Sequence, residues 1–294
     1  MESHGVNSIR EILTMKQVRH ILEQAVGAGW ELVRADIRPA SPGISGFVGD
    51  HFRVTFHVTV AGRAKKVNIF VKSMPLANEP KAKTIDQQNF YRREMLMFEL
   101  FEEMGAGQSD DSWCAKAYIC NDSIVVMPDL SYLGYRQRPP LDCLDLEHCL
   151  LTTASLARFH AAFAKYETKR ILNRHPPFTQ EYADVLTDPT FTDSPWLRAA
   201  AKLTKNFLTT FSDRSSQYPA DLEDILVKLY LEGCKSFTES NSLNVVNHKD
   251  LWINNIMYKY EGESPTNALL IDFQCVRYGP PAFDLIEFFV LEHF

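Results

Sequence analysis

Two stretches near the end of this 294-residue chain carry side chains whose types and spacing suit phosphoryl transfer. The first, Asn247-His248-Lys249-Asp250-Leu251-Trp252-Ile253-Asn254-Asn255, contains His-x-Asp-x-x-x-x-Asn; the second, Leu269-Leu270-Ile271-Asp272-Phe273-Gln274, ends an apolar run on a carboxylate. In such a set one Asp handles an acceptor hydroxyl, while an Asn and a second Asp hold magnesium on the phosphates of ATP. With nine His, eighteen Asp and thirteen Asn, chance would produce the first pattern roughly 0.02 times per chain, so coincidence explains it poorly.

The spacing has a physical reading. A tight loop starting at His248 can aim Asp250 into a cleft, and by Asn255 the chain has turned enough to face the same cleft. Ile256-Met257-Tyr258 reads as a short strand, a polar turn follows, and Ala268 to Ile271 reads as the returning strand, which puts Asp272 beside Asn255. Amide and carboxylate oxygens suit magnesium, a hard cation that keeps several waters and takes further ligands from substrate phosphates. The alternative is a polar hairpin whose Asp and Asn residues only form turns, but a turn does not require all of these positions together.

Upstream, the elements that must position this loop read as a sheet and a helix. A helix from about Met15 to Val26 precedes strands at Trp30 to Arg38, at the Phe52-Val54-Phe56-Val58-Val60 alternation, and at Val67 to Ser73 after the Ala61-Gly62-Arg63 turn. Between the first two strands, Gly43-Ile44-Ser45-Gly46-Phe47-Val48-Gly49-Asp50 would let backbone come close to phosphates, although a plain glycine-containing hairpin would look the same. Lys72 lies on the third strand. About twenty residues later Phe90, Met97, Phe98, Phe101 and Met104 mark the apolar face of a helix, and Glu94 falls on that face. An inward carboxylate is costly unless a cation meets it, and Lys72 is the natural partner. The alternative pairs Glu94 with Arg92 or Arg93, or leaves it solvated.

A further apolar strand, Ser123 to Met127, runs into Pro128-Asp129-Leu130 and a Gly/Pro region, which marks a lobe boundary. A long helix follows from Asp142 to Lys165, started by Asp142 or Asp145, and its His160 reads as a hydrogen-bonded core histidine. Prolines break residues 170 to 215 into shorter helical pieces, and another helix spans about Ala220 to Glu239. This insertion is a candidate wall of an acceptor pocket.

Composition sets the bounds. At 45% hydrophobic residues the chain can build one large core or two lobes. A net charge of -6 argues against nucleic acid or an anionic membrane as partner. The N-terminal residues lack a signal-peptide core, and no run approaches the roughly 18 apolar residues needed to cross a bilayer. Six cysteines without a Cys-x-x-Cys pair point to reduced thiols in an intracellular, cytoplasmic setting.

Lys72, Glu94, the His248 to Asn255 loop and Asp272-Phe273-Gln274 together resemble the ecdysteroid kinase-like (CHK kinase-like) family of arthropods, relatives of choline kinases and aminoglycoside phosphotransferases. The resemblance covers about residues 30 to 294 and extends to Phe70-Val71-Lys72-x-x-Pro75, Tyr91-x-x-Glu94, Arg277-Tyr278-Gly279 and Ala282-Phe283-Asp284-Leu285. It implies an α+β, bilobal protein-kinase-like fold, with an antiparallel-sheet N-lobe over 1–128 and a mainly helical C-lobe over 129–294 that includes the insertion at about 170–240. It also implies a small-molecule kinase, dependent on ATP and Mg2+, that phosphorylates a hydroxyl of an apolar acceptor such as an ecdysteroid or other steroid-like compound. Asp250 would be the catalytic base, Asn255 and Asp272 the magnesium ligands. Lys72 would contact the α and β phosphates and Glu94 would hold it, with Gly46 and Gly49 in the phosphate loop. Met127, Asp129 and Leu130 would form the hinge against which adenine stacks. His248 would anchor backbone near Asp272, and Asp284 would brace the catalytic loop.

Three positions depart from the family pattern. Lys249 stands where Gly is usual, and Pro128 replaces a common hinge Glu, removing a carboxylate and an N–H. Family members usually continue past the position of Phe294 for roughly another hundred residues, about the size of a small helical subdomain. The C-lobe therefore reads as truncated. A short isoform, an incomplete gene model, a dimer that hides the last helix and a poorly folded product are the open accounts. A catalytically impaired pseudokinase that binds a ligand or partner is the competing functional reading.

Overall fold

A computed structural model of the chain describes residues 9–40, 49–75, 77–107, 112–139, 142–186, 193–238 and 243–292. The chain opens on helix α1 (Met15–Val26), whose start is fixed by a reciprocal cap between Thr14 and Gln17. Strands β1 (Trp30–Pro39), β2 (Asp50–Val60) and β3 (Arg63–Ser73) follow. Ala61 and Gly62, both at positive φ, form the two-residue turn that joins β2 to β3 with Val60 opposite Arg63. Helices α2 (Glu79–Gln87) and α3 (Phe90–Met104) then lead to β4 (Ile119–Cys120) and β5 (Ile124–Pro128). Among the described residues these strands form one antiparallel sheet in the order β1-β2-β3-β5-β4.

Alternation along the strands gives this sheet two different faces. Val54, Phe56 and Val58 of β2, Val67, Ile69 and Val71 of β3, and Ile124 and Val126 of β5 pack against Val18, Ile21 and Leu22 of α1. The opposite face carries His51 and Arg53 of β2, Phe70 and Lys72 of β3, and Val125 and Met127 of β5, with His51 paired to Lys72 and Phe70 to Met127. Val125 and Met127 share a core with Tyr91 of α3 and Ile85 of α2. The second face therefore looks toward α3 and the rest of the molecule.

Beyond β5 come β6 (Tyr135–Arg136) and the long helix α4 (Leu146–Leu172), capped by Asp145. Helices α5 (Phe178–Glu181), α6 (Ala183–Leu186), α7 (Pro195–Phe211) and α8 (Leu222–Thr238) follow it. Strands β7 (Val245–Asn247), β8 (Ile256–Glu261), β9 (Ser264–Leu270) and β10 (Arg277–Gly279) precede helix α9 (Ala282–Glu292). Phe101 of α3, Phe159 and Phe163 of α4, Trp113 and Phe273 build an aromatic core of mainly edge-to-face contacts, with Phe159 tilted on Phe273. Each such ring buried contributes about 1.5–3 kcal/mol. Phe273 belongs to that core, so its neighbour Asp272 is carried on a fixed support. The architecture is the bilobal protein-kinase-like fold, an antiparallel-sheet lobe joined to a mainly helical one.

Several boundaries differ from the sequence-based expectation. α2 was not anticipated, because its nine residues hold one buried apolar side chain, Ile85, and so carry almost no periodicity. α4 starts at Leu146, since Asp145 rather than Asp142 caps it, and it runs past Lys165 to Leu172. β9 begins at Ser264 because Gly262, at φ 64°, closes a two-residue turn and leaves no longer loop.

Candidate active site

Lys72 and Glu94 meet as their burial requires. Lys72 Nζ lies 2.7 Å from Glu94 Oε2, and both residues are at most 5% exposed. The alternative partners go elsewhere. Arg92 pairs with Asp184, while buried Arg93 donates to the carbonyls of Val185 and Gln88, fastening α3 to α6. Lys72 Nζ also lies 2.7 Å from Asp272 Oδ1 and 3.0 Å from Gln274 Oε1. Gln274 in turn donates to Asp272 Oδ2 at 3.1 Å, so the third residue of Asp-Phe-Gln joins the cation to the carboxylate. Burial pulls the Lys72 ammonium down, but the charges of Asp272 and Glu94 overcome it and hold the pKa above its ordinary value.

The catalytic-loop candidates converge on the same place. Asn255 Nδ2 donates to Asp250 Oδ2 at 2.9 Å and to the Asp250 carbonyl at 2.8 Å. The Ile271 N–H donates to the Asn255 carbonyl at 3.0 Å, which ties the end of the loop to the strand carrying Asp272. His248 Nε2 donates to the Ile271 carbonyl at 3.0 Å and its ring packs on Phe273. Asp284, fully buried, accepts the backbone N–H groups of His248 and Lys249 at 2.8 Å each and the His160 ring N–H at 2.8 Å. Burial pushes the Asp250 carboxyl up, and the Asp272 charge adds to this against His248. A carboxylate raised in this way is a better proton acceptor.

The candidate hinge segment, Met127 to Leu130, is held by a contact that local patterns do not signal. Asp129 is 3% exposed, its carboxylate is gripped by Arg53 and Ser131, and its N–H donates to the Asn68 carbonyl at 3.0 Å. Met127 and Leu130 are buried beside it. Arg53 and His51 face the cleft from β2, and sequence alone did not single them out. Burial, then the Lys72 charge, lowers the His51 pKa. Gly49 enters β2 at φ 89°, where only glycine fits without strain; Gly46 lies outside the described residues.

Lys249 adopts φ 60°, a left-handed conformation that costs a non-glycine residue about 1 kcal/mol. Burial, then the nearby Arg277 charge, lowers its amine from 10.5 to about 7. Lys249→Gly should therefore raise stability by about 1 kcal/mol from backbone relief alone. A depressed folded-state pKa means that the lysine's contribution is intact above 10.5 and lost as pH falls through about 7. The variant's advantage should thus be larger in melts at about pH 6 than at about pH 9. A variant less stable at both, or with the reverse order, would contradict this account.

The sequence profile of the ecdysteroid kinase-like family matches residues 44–292. The chain belongs to the ecdysteroid kinase-like family. Among solved structures, this ecdysteroid kinase-like chain is similar to a Plasmodium vivax ethanolamine kinase at 14% identity and a TM-score of 0.48, covering 95% of this chain and 63% of that one. It is also similar to an aminoglycoside 2'-phosphotransferase-IIIa variant solved with GDP, at 12% identity and a TM-score of 0.39, covering 93% of this chain and 76% of that one. This chain thus spans 63% of the length of the ethanolamine kinase. No curated protein matches it. Among its described residues no helix is long and apolar enough to cross a membrane.

Proposed function

We propose that this chain transfers the γ-phosphoryl group of ATP to a hydroxyl of a small, apolar, steroid-like molecule, with ecdysteroids as the leading class. The observation that carries the reading is the meeting at Lys72 of Glu94 and Asp272, residues 22 and 200 positions away in sequence.

The donor set fits magnesium. Asn255 commits its amide nitrogen to Asp250, so its carbonyl oxygen is the atom offered to a metal, and Asp272 adds a carboxylate. Among the described residues no three His, Cys, Asp or Glu side chains gather as a self-contained metal site, so the other ligands would come from phosphates and water. Magnesium, when bound, neutralises charge that develops on the transferring phosphoryl group.

Lys72 would shift its third contact from Asp272 to the α and β phosphates while Glu94 keeps it aimed. Gly46 and Gly49 would bring backbone N–H groups to the phosphates, and Met127 and Leu130 would pack on adenine, with Asp129 as the strut that Arg53 holds. Asp250 takes the proton of the acceptor hydroxyl as that oxygen bonds to the γ-phosphorus and the bond to the β-bridging oxygen breaks, leaving ADP. The insertion α5 to α8 supplies a wall for the acceptor. Residues 1–128 and 129–294 act as the two lobes, in a cytoplasmic protein.

Thermal melts with and without ATP and magnesium test the nucleotide site. Ligand at a hundred times its dissociation constant should add about 2.7 kcal/mol. The gain should need both ligands and shrink in Asp272→Asn. A cooperative melt indifferent to them would favour a binding module without catalysis.

A further inference from the structure

Tyr91 is a buried polar residue that the mechanism above leaves unused. It lies on α3 one turn before Glu94 and is 3% exposed, yet among the described residues its hydroxyl has no hydrogen-bond partner. Leaving a buried hydroxyl unpaired costs about 1–3 kcal/mol. A phenylalanine would fill the same space without that cost, so packing does not account for the oxygen.

Its position does. A Cβ placed on Gly49 would sit 2.8 Å from the Tyr91 oxygen, 2.9 Å from the Ser73 carbonyl oxygen and 3.4 Å from Lys72 Cγ. The hydroxyl therefore borders the glycine that leads into β2, at a place the stem of Lys72 also borders. Lys72 Nζ is 5.6 Å from the centre of the tyrosine ring. Burial pushes the phenol well above its ordinary pKa, so the group stays a neutral O–H donor. Its neighbour Lys72 is itself a donor and already holds Glu94, Asp272 and Gln274. What the hydroxyl lacks is an acceptor at the place where Lys72 would receive one.

We propose that Tyr91 is a phosphate-contact residue of the nucleotide site, donating its hydroxyl to an anionic oxygen of the phosphate chain that Lys72 holds. This rests on the phosphotransferase reading and adds to it a donor from α3.

Tyr91→Phe removes the oxygen and nothing else. Calorimetric titration with Mg·ATP, Mg·ADP and adenosine should show affinity for both nucleotides falling about 3–10-fold, as for one lost hydrogen bond, and affinity for adenosine unchanged. The ligand-free variant should melt at the same temperature or higher, because an unsatisfied buried group has been removed. A lower ligand-free melt would assign the hydroxyl a structural role and overturn the proposal. So would unchanged nucleotide affinity, or a loss shared equally by adenosine. If the wild-type protein bound no nucleotide and matched Lys72→Met, the phosphotransferase reading itself would fall. Nucleotide binding by wild type with identical constants in Tyr91→Phe would remove the Tyr91 assignment alone.

Discussion

Asp250→Asn should cut phosphoryl transfer by about 10²–10⁴-fold, the usual contribution of a positioned general base, while leaving Mg·ATP affinity nearly intact. The substitution is close to isosteric, and the bond that orients Asp250 survives it. Asn255 Nδ2 donates to Asp250 Oδ2 at 2.9 Å, and an amide oxygen in the same place still accepts that bond. The second bond from Asn255 goes to the Asp250 backbone carbonyl at 2.8 Å, which a side-chain change leaves in place. What disappears is the basic lone pair. An amide cannot take the proton of an attacking hydroxyl, and without that transfer the oxygen must attack while still protonated. Losses of this kind appear in kcat rather than in KM for nucleotide. The measurement is turnover with a hydroxylated acceptor alongside calorimetric Mg·ATP binding. A variant that kept more than about a tenth of wild-type turnover would remove Asp250 from the role of base.

Much of this site was legible because its parts depend on local spacing. His248, Asp250 and Asn255 lie within eight residues, and the β8–β9 hairpin that returns the chain to Asp272 is marked by its own turn. Glu94 could be read as inward from helical periodicity alone, and its burial then demanded a cation. What escaped depends on register between distant strands. His51 lies opposite Lys72, and Arg53 reaches Asp129 across 76 positions; neither relation leaves a mark on composition or period. The Tyr91 hydroxyl escaped for a different reason. The sequence offers Tyr91 only within Tyr91-x-x-Glu94, with no role of its own, and only the fold leaves its oxygen without a partner among the described residues. Arg277, which the sequence offers only within Arg277-Tyr278-Gly279, is a fully buried cation whose guanidinium lies 3.6 Å from the centre of the Phe283 ring. Sequence patterning treats such a residue as surface, because a buried cation is stable only where a specific face receives it.

Asp284→Ala should be strongly destabilising, by about 3–5 kcal/mol, out of a total stability on the order of 5–15 kcal/mol. Asp284 is 0% exposed and satisfies three donors at 2.8 Å: the N–H groups of His248 and Lys249 and the His160 ring. Alanine would leave all three without this acceptor, and each unmet buried donor costs about 1–3 kcal/mol. The two backbone bonds also hold Lys249 at φ 60°, a conformation that a lysine keeps only when its surroundings impose it. Releasing them lets the backbone relax and carries Asp250, the next residue, away from Asn255. Asp284→Asn should lose less, because one amide oxygen can still serve the loop while its NH2 group faces donors. Urea unfolding of the three proteins gives the test through the midpoint at constant slope. The account requires the order wild type, Asn, Ala. An alanine variant within about 1 kcal/mol of wild type would mean that the loop is held by other contacts.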